Sequence, residues 1–454
     1  MRAAARGAAL SLALVPAGAG AAEVVLGSYG RVGAGSDLQG GAGQPVAVAT
    51  HSDRLQADPY VEVDVMFREK TADGARFGAV FTPAIAGPLF HASGDWDADL
   101  AVRNLYAHGT GWVDAPVTAW VGSRMLRGDD VYLLNFWPLD NLNTVGGGVQ
   151  VHPERWFLDA HLGMSRLNDP MTSQQVLATS EGGVGGVNVQ VLDRQRAVAS
   201  LKVGGTAPLG ELTLRLAGYT ELHRLPAGEQ LSDEERTPRD LPADRGAVLG
   251  AQASLWGWGP DSFAHLWLRR GTGLAIPGTL ALPGTGLAAD RTFAGAREHM
   301  VAVAGNSEGP GPYGLMWGGY LRAYRDADAN LTDWDDAAEG AVVLRPAWHL
   351  SKHVSLAGEL SHQWRQSPGL NPATGEVALP QVTKLALLPT LQPHRSGLSR
   401  PQLRLQYVYS RLNNDARQLY PEEDARFASN HQHHVGMVAE WWMDSATYRP
   451  AGSN

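Results

Sequence analysis

Strict two-residue alternation constrains this chain more than any other feature. From Arg400 to Leu412, Gln402, Arg404, Gln406 and Ser410 fall on one side and Leu403, Leu405, Tyr407 and Tyr409 on the other. Side chains of an extended strand alternate with a period of two, so this segment is a strand with one wet and one apolar face. The same reading sets Glu62 and Asp64 against Val61, Val63, Val65 and Phe67, and Glu211, Thr213 and Arg215 against Leu212, Leu214 and Leu216. If such apolar faces met in a core, the wet faces would be solvent surface. If they met lipid, the wet faces would line a lumen.

Context favours lipid. Residues 1–22 carry Arg2 and Arg6, then the apolar run Ala8 to Val15, then small residues as far as Ala22, the layout of a secretory signal peptide. Nothing after them offers the ~18 uncharged apolar residues of a membrane-spanning helix. An exported chain of this kind is a secreted or periplasmic protein or an outer-membrane barrel. With 0 cysteines, disulfides and thiolate metal sites are excluded. Losing Arg2 and Arg6 takes the formal charge from 37 − 46 = −9 to 35 − 46 = −11, which argues against a nucleic-acid partner. The 54 glycines and 14 tryptophans suit tight turns, small lumen-side residues and interfacial aromatics.

Strand-like windows start near Val24, Tyr60, Phe77, Leu100, Val117, Val131, Val145, Phe157, Arg194, Gly210, Ala247, Ser262, Glu298, Tyr313, Ala338, Val354, Val382, Arg400 and His434. That is 19, one more than a barrel of even strand number holds, and Val131 to Pro138 is the weakest, reading partly as loop. Connections alternate in length. Ala72–Gly74, Pro153–Arg155, Gly309–Pro312 and Leu350–Lys352 are short; Ala227–Arg245, Arg325–Glu339 and Asn413–Asn430 are long, polar and acidic. Short turns at one end and long loops at the other describe an all-β, antiparallel transmembrane barrel. Residues 23–443 read as one barrel domain and residues 444–454 as an extension.

Several motifs carry less than they promise. Gly305-Asn-Ser-Glu-Gly309 has the spacing of a hydrolase nucleophile elbow, but the helix that must follow is replaced by Pro310-Gly-Pro312, so it reads as a turn. Asp326, Asp328 and Asn330 imitate a calcium loop, yet Leu331 stands where glycine is required and Ala337 where the bidentate Glu belongs. His431 and His433 lack a further fixed ligand and read as exposed loop residues, and Gly182 to Gly186 lacks the strand and helix of a phosphate loop. No metal or cofactor site is expected.

The aromatics carry more. By parity Tyr29 shares a face with Arg31, Tyr60 with Glu62, Trp120 with Arg124, Phe263 with His265 and Arg269, and Trp442 with Glu440. An aromatic on the charged face of a barrel strand is not a lipid anchor. Pyranose rings present an apolar face that lies flat on Tyr, Trp or Phe, while their hydroxyls bond Arg and carboxylate groups, so a sugar-binding track accounts for the set.

At these residues the chain resembles the maltoporin family. The resemblance is carried by Gly27-Ser-Tyr-Gly-Arg-Val-Gly33, Pro59-Tyr-Val-Glu-Val-Asp-Val65, the stretch from Trp120 through Arg124 and Asp130 to Phe136, and Gly436-Met-Val-Ala-Glu-Trp-Trp442. It implies an 18-stranded, trimeric outer-membrane barrel that passes maltodextrin-type sugars along an aromatic slide, without catalysis or cofactor. It places Tyr29, Tyr60, Phe263 and Trp442 on the slide, with Trp96 lent by a loop to the neighbouring subunit. Arg31, Arg54, Glu62, Arg103, Asp130, Asn135 and Asp140 fall on the flanking polar track, and Trp137 stands where the family has a tyrosine that narrows the channel. Departures from the family's pattern are Leu398 for a slide tryptophan, Gly128 for a track arginine and Asn135 for a carboxylate. A general diffusion porin, or a porin for another oligosaccharide such as sucrose, is the rival within the same fold, and a β-rich hydrolase the rival outside it.

Overall fold

The computed structural model describes residues 22–56, 58–87, 98–179, 185–231, 237–278, 286–330, 336–367, 369 and 375–446. Eighteen strands form one closed antiparallel sheet. Its first half contains β1 (Glu23–Ser36), β2 (Tyr60–Lys70), β3 (Arg76–Ala86), β4 (Asp99–Thr110), β5 (Val117–Arg127), β6 (Asn141–Val151) and β7 (Trp156–Ser165). Two hairpins outside the ring follow, β8–β9 (Ser173–Thr179, Gly186–Asp193) and, after β10 (Arg196–Leu209) and β11 (Leu212–Leu225), β12–β13 (Gly228–Leu231, Pro238–Leu241). The ring continues through β14 (Asp244–Trp256), β15 (Phe263–Gly273), β16 (Arg297–Glu308), β17 (Tyr313–Arg325), β18 (Ala337–His349), β19 (Val354–Gln366), β20 (Gln381–Leu391), β21 (Gln402–Leu412) and β22 (His431–Met443). Two single-turn helices, α1 (Asn414–Arg417) and α2 (Ala425–Ala428), lie in the last long loop. Each ring strand pairs with its chain neighbours in the ring, and β22 closes on β1 with Tyr29 opposite Trp442 and Arg31 opposite Glu440.

Closure satisfies every edge, which lets strands cross a bilayer. The alternation resolves as lipid outside and wet inside. Leu403, Leu405 and Tyr407 are exposed on the outer wall, while Gln402, Arg404, Gln406 and Ser410 are covered inside; Glu62 and Asp64 are fully buried behind exposed Val63 and Phe67. A charge at mid-bilayer depth on the outer face would cost ~2–4 kcal/mol, which fixes this parity.

The window at Val131 is not a strand, and its removal brings the count to 18. Tyr132–Leu134 is a 3-10 turn, closed by a bridge between Val131 and Phe136 and ended by Asn135 in the left-handed region (φ 49°), a conformation Asn tolerates better than most residues. The histidines read as loop also belong to a strand: His431 and His433 lie on the outer face of β22, stacked on Tyr409 and Tyr407. Their alternation was masked by the polar sequence around them. The expected turn at Gly309–Pro312 is present, joining β16 to β17.

Two connections fold into the barrel. Residues 37–59 bury Val46, Val48, Asp53 and Leu55. Asp53 anchors this loop to the inner wall, accepting from Lys384 Nζ at 3.1 Å, Ser361 Oγ at 3.1 Å and Gln363 Nε2 at 3.0 Å. Residues 128–140 cross the lumen, where Val131, Leu133, Leu134, Phe136 and Leu139 pack on Trp267, Met300, Ala302, Met316, Tyr320 and Val343 of β15–β18. Approach is closest at Gly318, where a Cβ would stand 2.7 Å from Val131 Cγ1. His51 joins the two loops by stacking on Phe136 at 3.8 Å. On the β15–β18 side the crossing loop packs its apolar residues on the wall, beside the inward ion pairs of Arg269, Arg322, Glu298 and Glu339.

Candidate functional site

Parity on β1, β2 and β22 brings three of the expected slide residues together. Tyr29 is directly opposite Glu62 on β2 and Trp442 on β22, and its ring lies 6.0 Å from that of Tyr60. Tyr60 donates to Glu62 and accepts from Arg103 Nε at 2.8 Å, while Arg103 pairs with Glu62 at 3.5 Å and sits 5.4 Å over the Tyr60 ring. Arg31, opposite Tyr60, donates to the Asp58 carbonyl at 2.7 Å.

Beside them Glu440 gathers three guanidinium groups. It accepts from Arg54 Nη2 at 2.9 Å, Arg400 Nε at 3.2 Å and Arg404 Nη2 at 3.5 Å, and from the Tyr132 hydroxyl at 2.5 Å. Arg54 also donates to the Tyr29 hydroxyl at 2.7 Å and lies 4.4 Å over the Tyr132 ring. Arg400 covers one face of Trp442 at 4.1 Å, and Tyr132 meets Trp442 edge-on at 5.8 Å. One carboxylate therefore ties both inward loops to the wall, through Arg54 and Tyr132, and leaves a local charge of +2 from three arginines and one glutamate.

The crossing loop is anchored at its far side by Asp129, paired with Arg215 and accepting from Gln252 Nε2 at 2.5 Å, and by Asp140, paired with Lys202. Asp130, between Asp129 and Val131, lies in the same loop with a partly covered surface. Trp137 is buried under Arg127 at 3.9 Å, and Asn135 is exposed at the loop's tip. Gly128 has a local reason: its backbone N–H donates to the Asp140 carbonyl at 3.0 Å, and a Cβ there would stand 2.7 Å from Asp140 Oδ2. Leu398 packs with Tyr132 on the apolar cluster.

Two expected residues stand apart. Phe263 lies at the turn end of β15, buried against His265 at 4.7 Å, on the wall covered by the crossing loop. Trp96 lies outside the described residues. Conversely, Tyr132, Arg400, Arg404 and Glu440 emerge as site residues that motif reading passed over. Period-two reading from Trp442 already reaches Glu440, but nothing local marks Tyr132 or Arg400. A second aromatic group lies along the same wall: Trp120 stacks on His161 at 5.6 Å and 7°, with Arg124 4.8 Å over Tyr106 and 5.1 Å over Trp120. Gly148 makes room for the indole, since a Cβ there would stand 2.6 Å from Trp120 Nε1. Among the described residues no cluster of His, Cys, Asp and Glu is arranged to hold a metal ion.

Solved structures similar to this chain are outer-membrane proteins. The trimer form of in-vitro-folded OmpT of Vibrio cholerae is 12% identical with a TM-score of 0.42, covering 94% of this chain and 100% of that one. OccAB1 of Acinetobacter baumannii is 10% identical with a TM-score of 0.46, covering 93% and 96%. OprD from Pseudomonas aeruginosa is 9% identical with a TM-score of 0.42, covering 92% and 93%. No curated protein matches the chain. The LamB porin family model matches residues 24–442, nearly the whole barrel, and the chain accordingly belongs to the LamB porin family and forms an outer-membrane β-barrel channel.

Proposed function

We propose that this porin is carbohydrate-selective and passes maltose or maltodextrin-type sugars by passive diffusion. The observation that carries the reading is the grouping of Tyr29, Tyr60, Trp442, Glu62, Arg103 and Glu440 on one wall, with Arg54 of the inward loop set against them. Aromatic faces offer platforms to the CH faces of pyranose rings, and the charged groups offer hydrogen bonds to the hydroxyls at their edges. Several weak sites in series favour entry yet release the sugar to the next. Arg31, Asp130, Asn135, Trp137 and Asp140 complete the polar track in this reading, Trp120 and Tyr106 extend the platform along the wall, and Phe263 serves nearer the short-turn end. Residues 1–22 act as the export signal. The working form is a homotrimer in which Trp96 enters the neighbouring lumen, since its acidic surroundings Asp95, Asp97 and Asp99 leave a large apolar ring in need of a partner.

Liposome swelling tests the reading. Maltose and maltotriose should permeate faster than non-sugars of equal size, and maltodextrins should block single-channel current. Rates that depend on solute size alone would identify a general diffusion porin instead.

A further inference from the structure

Five adjacent strands of the ring, β11 and β14–β17, each carry one exposed outward arginine near the long-loop end. Arg224 is the penultimate residue of β11, Arg245 the second of β14, Arg297 the first of β16 and Arg325 the last of β17; Arg270 lies three residues before the end of β15. Their outward parity is set by the lipid-facing residues beneath them, Leu222, Leu249, Leu268, Val301 and Leu321. Arg224 is directly opposite Arg245, and Arg297 directly opposite Arg325. Like charges in directly opposed positions of antiparallel strands repel. Among the described residues none of the five side chains has an ion pair or hydrogen bond to relieve that repulsion. The chain as a whole is acidic, with 46 Asp and Glu against 37 Lys and Arg, so the band is a local reversal of sign.

A groove of about 1210 Å³ opens over this rim, lined by Arg224, Arg245, Arg270 and Arg297. Its two carboxylates, Asp244 and Asp290, accept from the Phe293 N–H and Thr292 Oγ1, each at 2.7 Å, and against four arginines leave the groove with a formal charge of 4 − 2 = +2. Strands β16 and β17 lie nine places from β3 and β4 in the ring of 18. An assembly made through the β3–β4 loop, as in the proposed trimer, would leave the β16–β17 end of the band on the far side of the ring.

We propose that the band is a docking site for a phosphate-bearing glycolipid of the outer leaflet. Its phosphates sit between the opposed arginines, whose forked donors match phosphate geometry, and its acyl chains run down the leucine and valine wall below. The site combines the two requirements of lipid recognition, basic side chains at headgroup level and apolar surface at acyl level.

The test uses the full-length protein folded in a neutral, sugar-free detergent and titrated with a bisphosphorylated, acylated glucosamine disaccharide, with retained copies counted by native mass spectrometry. Wild type should retain the glycolipid, and Arg224→Gln/Arg245→Gln or Arg297→Gln/Arg325→Gln should raise its Kd at least tenfold. Arg411→Gln, an exposed outward arginine of β21 outside the band, should change it less than twofold. The glycolipid should raise the unfolding temperature of wild type and not of the double variants. Should a double variant fail to fold, Arg270→Gln alone carries the test, with an expected loss of threefold or more. Equal affinity for wild type and variants, equal binding of the dephosphorylated glycolipid, or displacement by an equal concentration of inorganic phosphate would each overturn the proposal.

Discussion

Replacing Glu440 with Gln removes one charge and almost no volume, at the point where both inward loops meet the wall. The carboxylate accepts from Arg54, Arg400, Arg404 and Tyr132, and the side chains of Glu440, Arg54 and Arg400 are 5%, 7% and 0% exposed. Removing one member of a buried ion pair costs about 3–5 kcal/mol, because the partner stays desolvated and uncompensated. Here that cost falls on three guanidinium groups and is relieved by movement of the loops that carry Arg54 and Tyr132, while the ladder of the ring stays closed. Charge at the site rises from +2 to +3. At about 6 Å in water one unit charge is worth about 0.7 kcal/mol, which screening over a Debye length of about 10 Å at 0.1 M salt cuts to about 0.4 kcal/mol. Anions and cations shift in opposite directions, so the permeability ratio should move toward anions by about 0.8 kcal/mol, or about fourfold. The assay is the reversal potential of single channels across a salt gradient, with open-channel noise recorded in parallel. Glu440→Gln should shift the potential toward anion selectivity and raise the noise. An unchanged potential and an unchanged noise spectrum would mean that Glu440 neither borders the permeation path nor holds the loops.

Three further outcomes follow from the same geometry. Tyr60→Ala should weaken maltodextrin block by roughly tenfold, since one stacked ring is worth on the order of 1–3 kcal/mol by analogy with base stacking and 1.4 kcal/mol is about a decade; Trp441→Ala, whose indole donates to Ser28 Oγ at 3.0 Å on the opposite face, should leave block unchanged, and equal losses at both would discard the aromatic track. Phe136→Ala removes a buried ring from the packed crossing loop at a cost of about 3–5 kcal/mol, and should appear as faster protease cleavage within residues 128–140 with the barrel's heat-resistant mobility intact. Burial, with Arg322 beside it, lowers His51 to about 4, so the undocked loop binds a proton at the ordinary value of 6.5 before the docked loop does; docking of residues 37–59 should weaken as pH falls from about 6.5 to about 4 and level off below, and a noise spectrum flat across that range would refute the coupling.

The sequence by itself determined the architecture, because a period of two leaves each strand only two faces and a bilayer accepts only one assignment of them. Once the export signal and the short-turn, long-loop pattern had pointed to a bilayer, residues 402–410 and 61–67 disclosed lipid side and lumen side without any knowledge of their strand partners. Tyr29, Tyr60 and Trp442 were legible for the same reason, as aromatics out of phase with the lipid face. What the sequence lacked was the path of the connections. The alternation around Val131 looks like a weak strand because Val131, Leu133 and Leu134 are apolar, and only the wall of β15–β18 shows that this apolar surface is spent on packing inside the barrel. Phe263 obeys the same parity as Tyr60, yet closure of the ring sets it on the wall that the crossing loop covers. Arg54, Tyr132, Arg400 and Glu440 come from positions up to 386 residues apart, and no local pattern ties them together. Parity is a property of one strand and can be read along the chain; which strands face each other across the lumen is fixed only when the last strand pairs with the first.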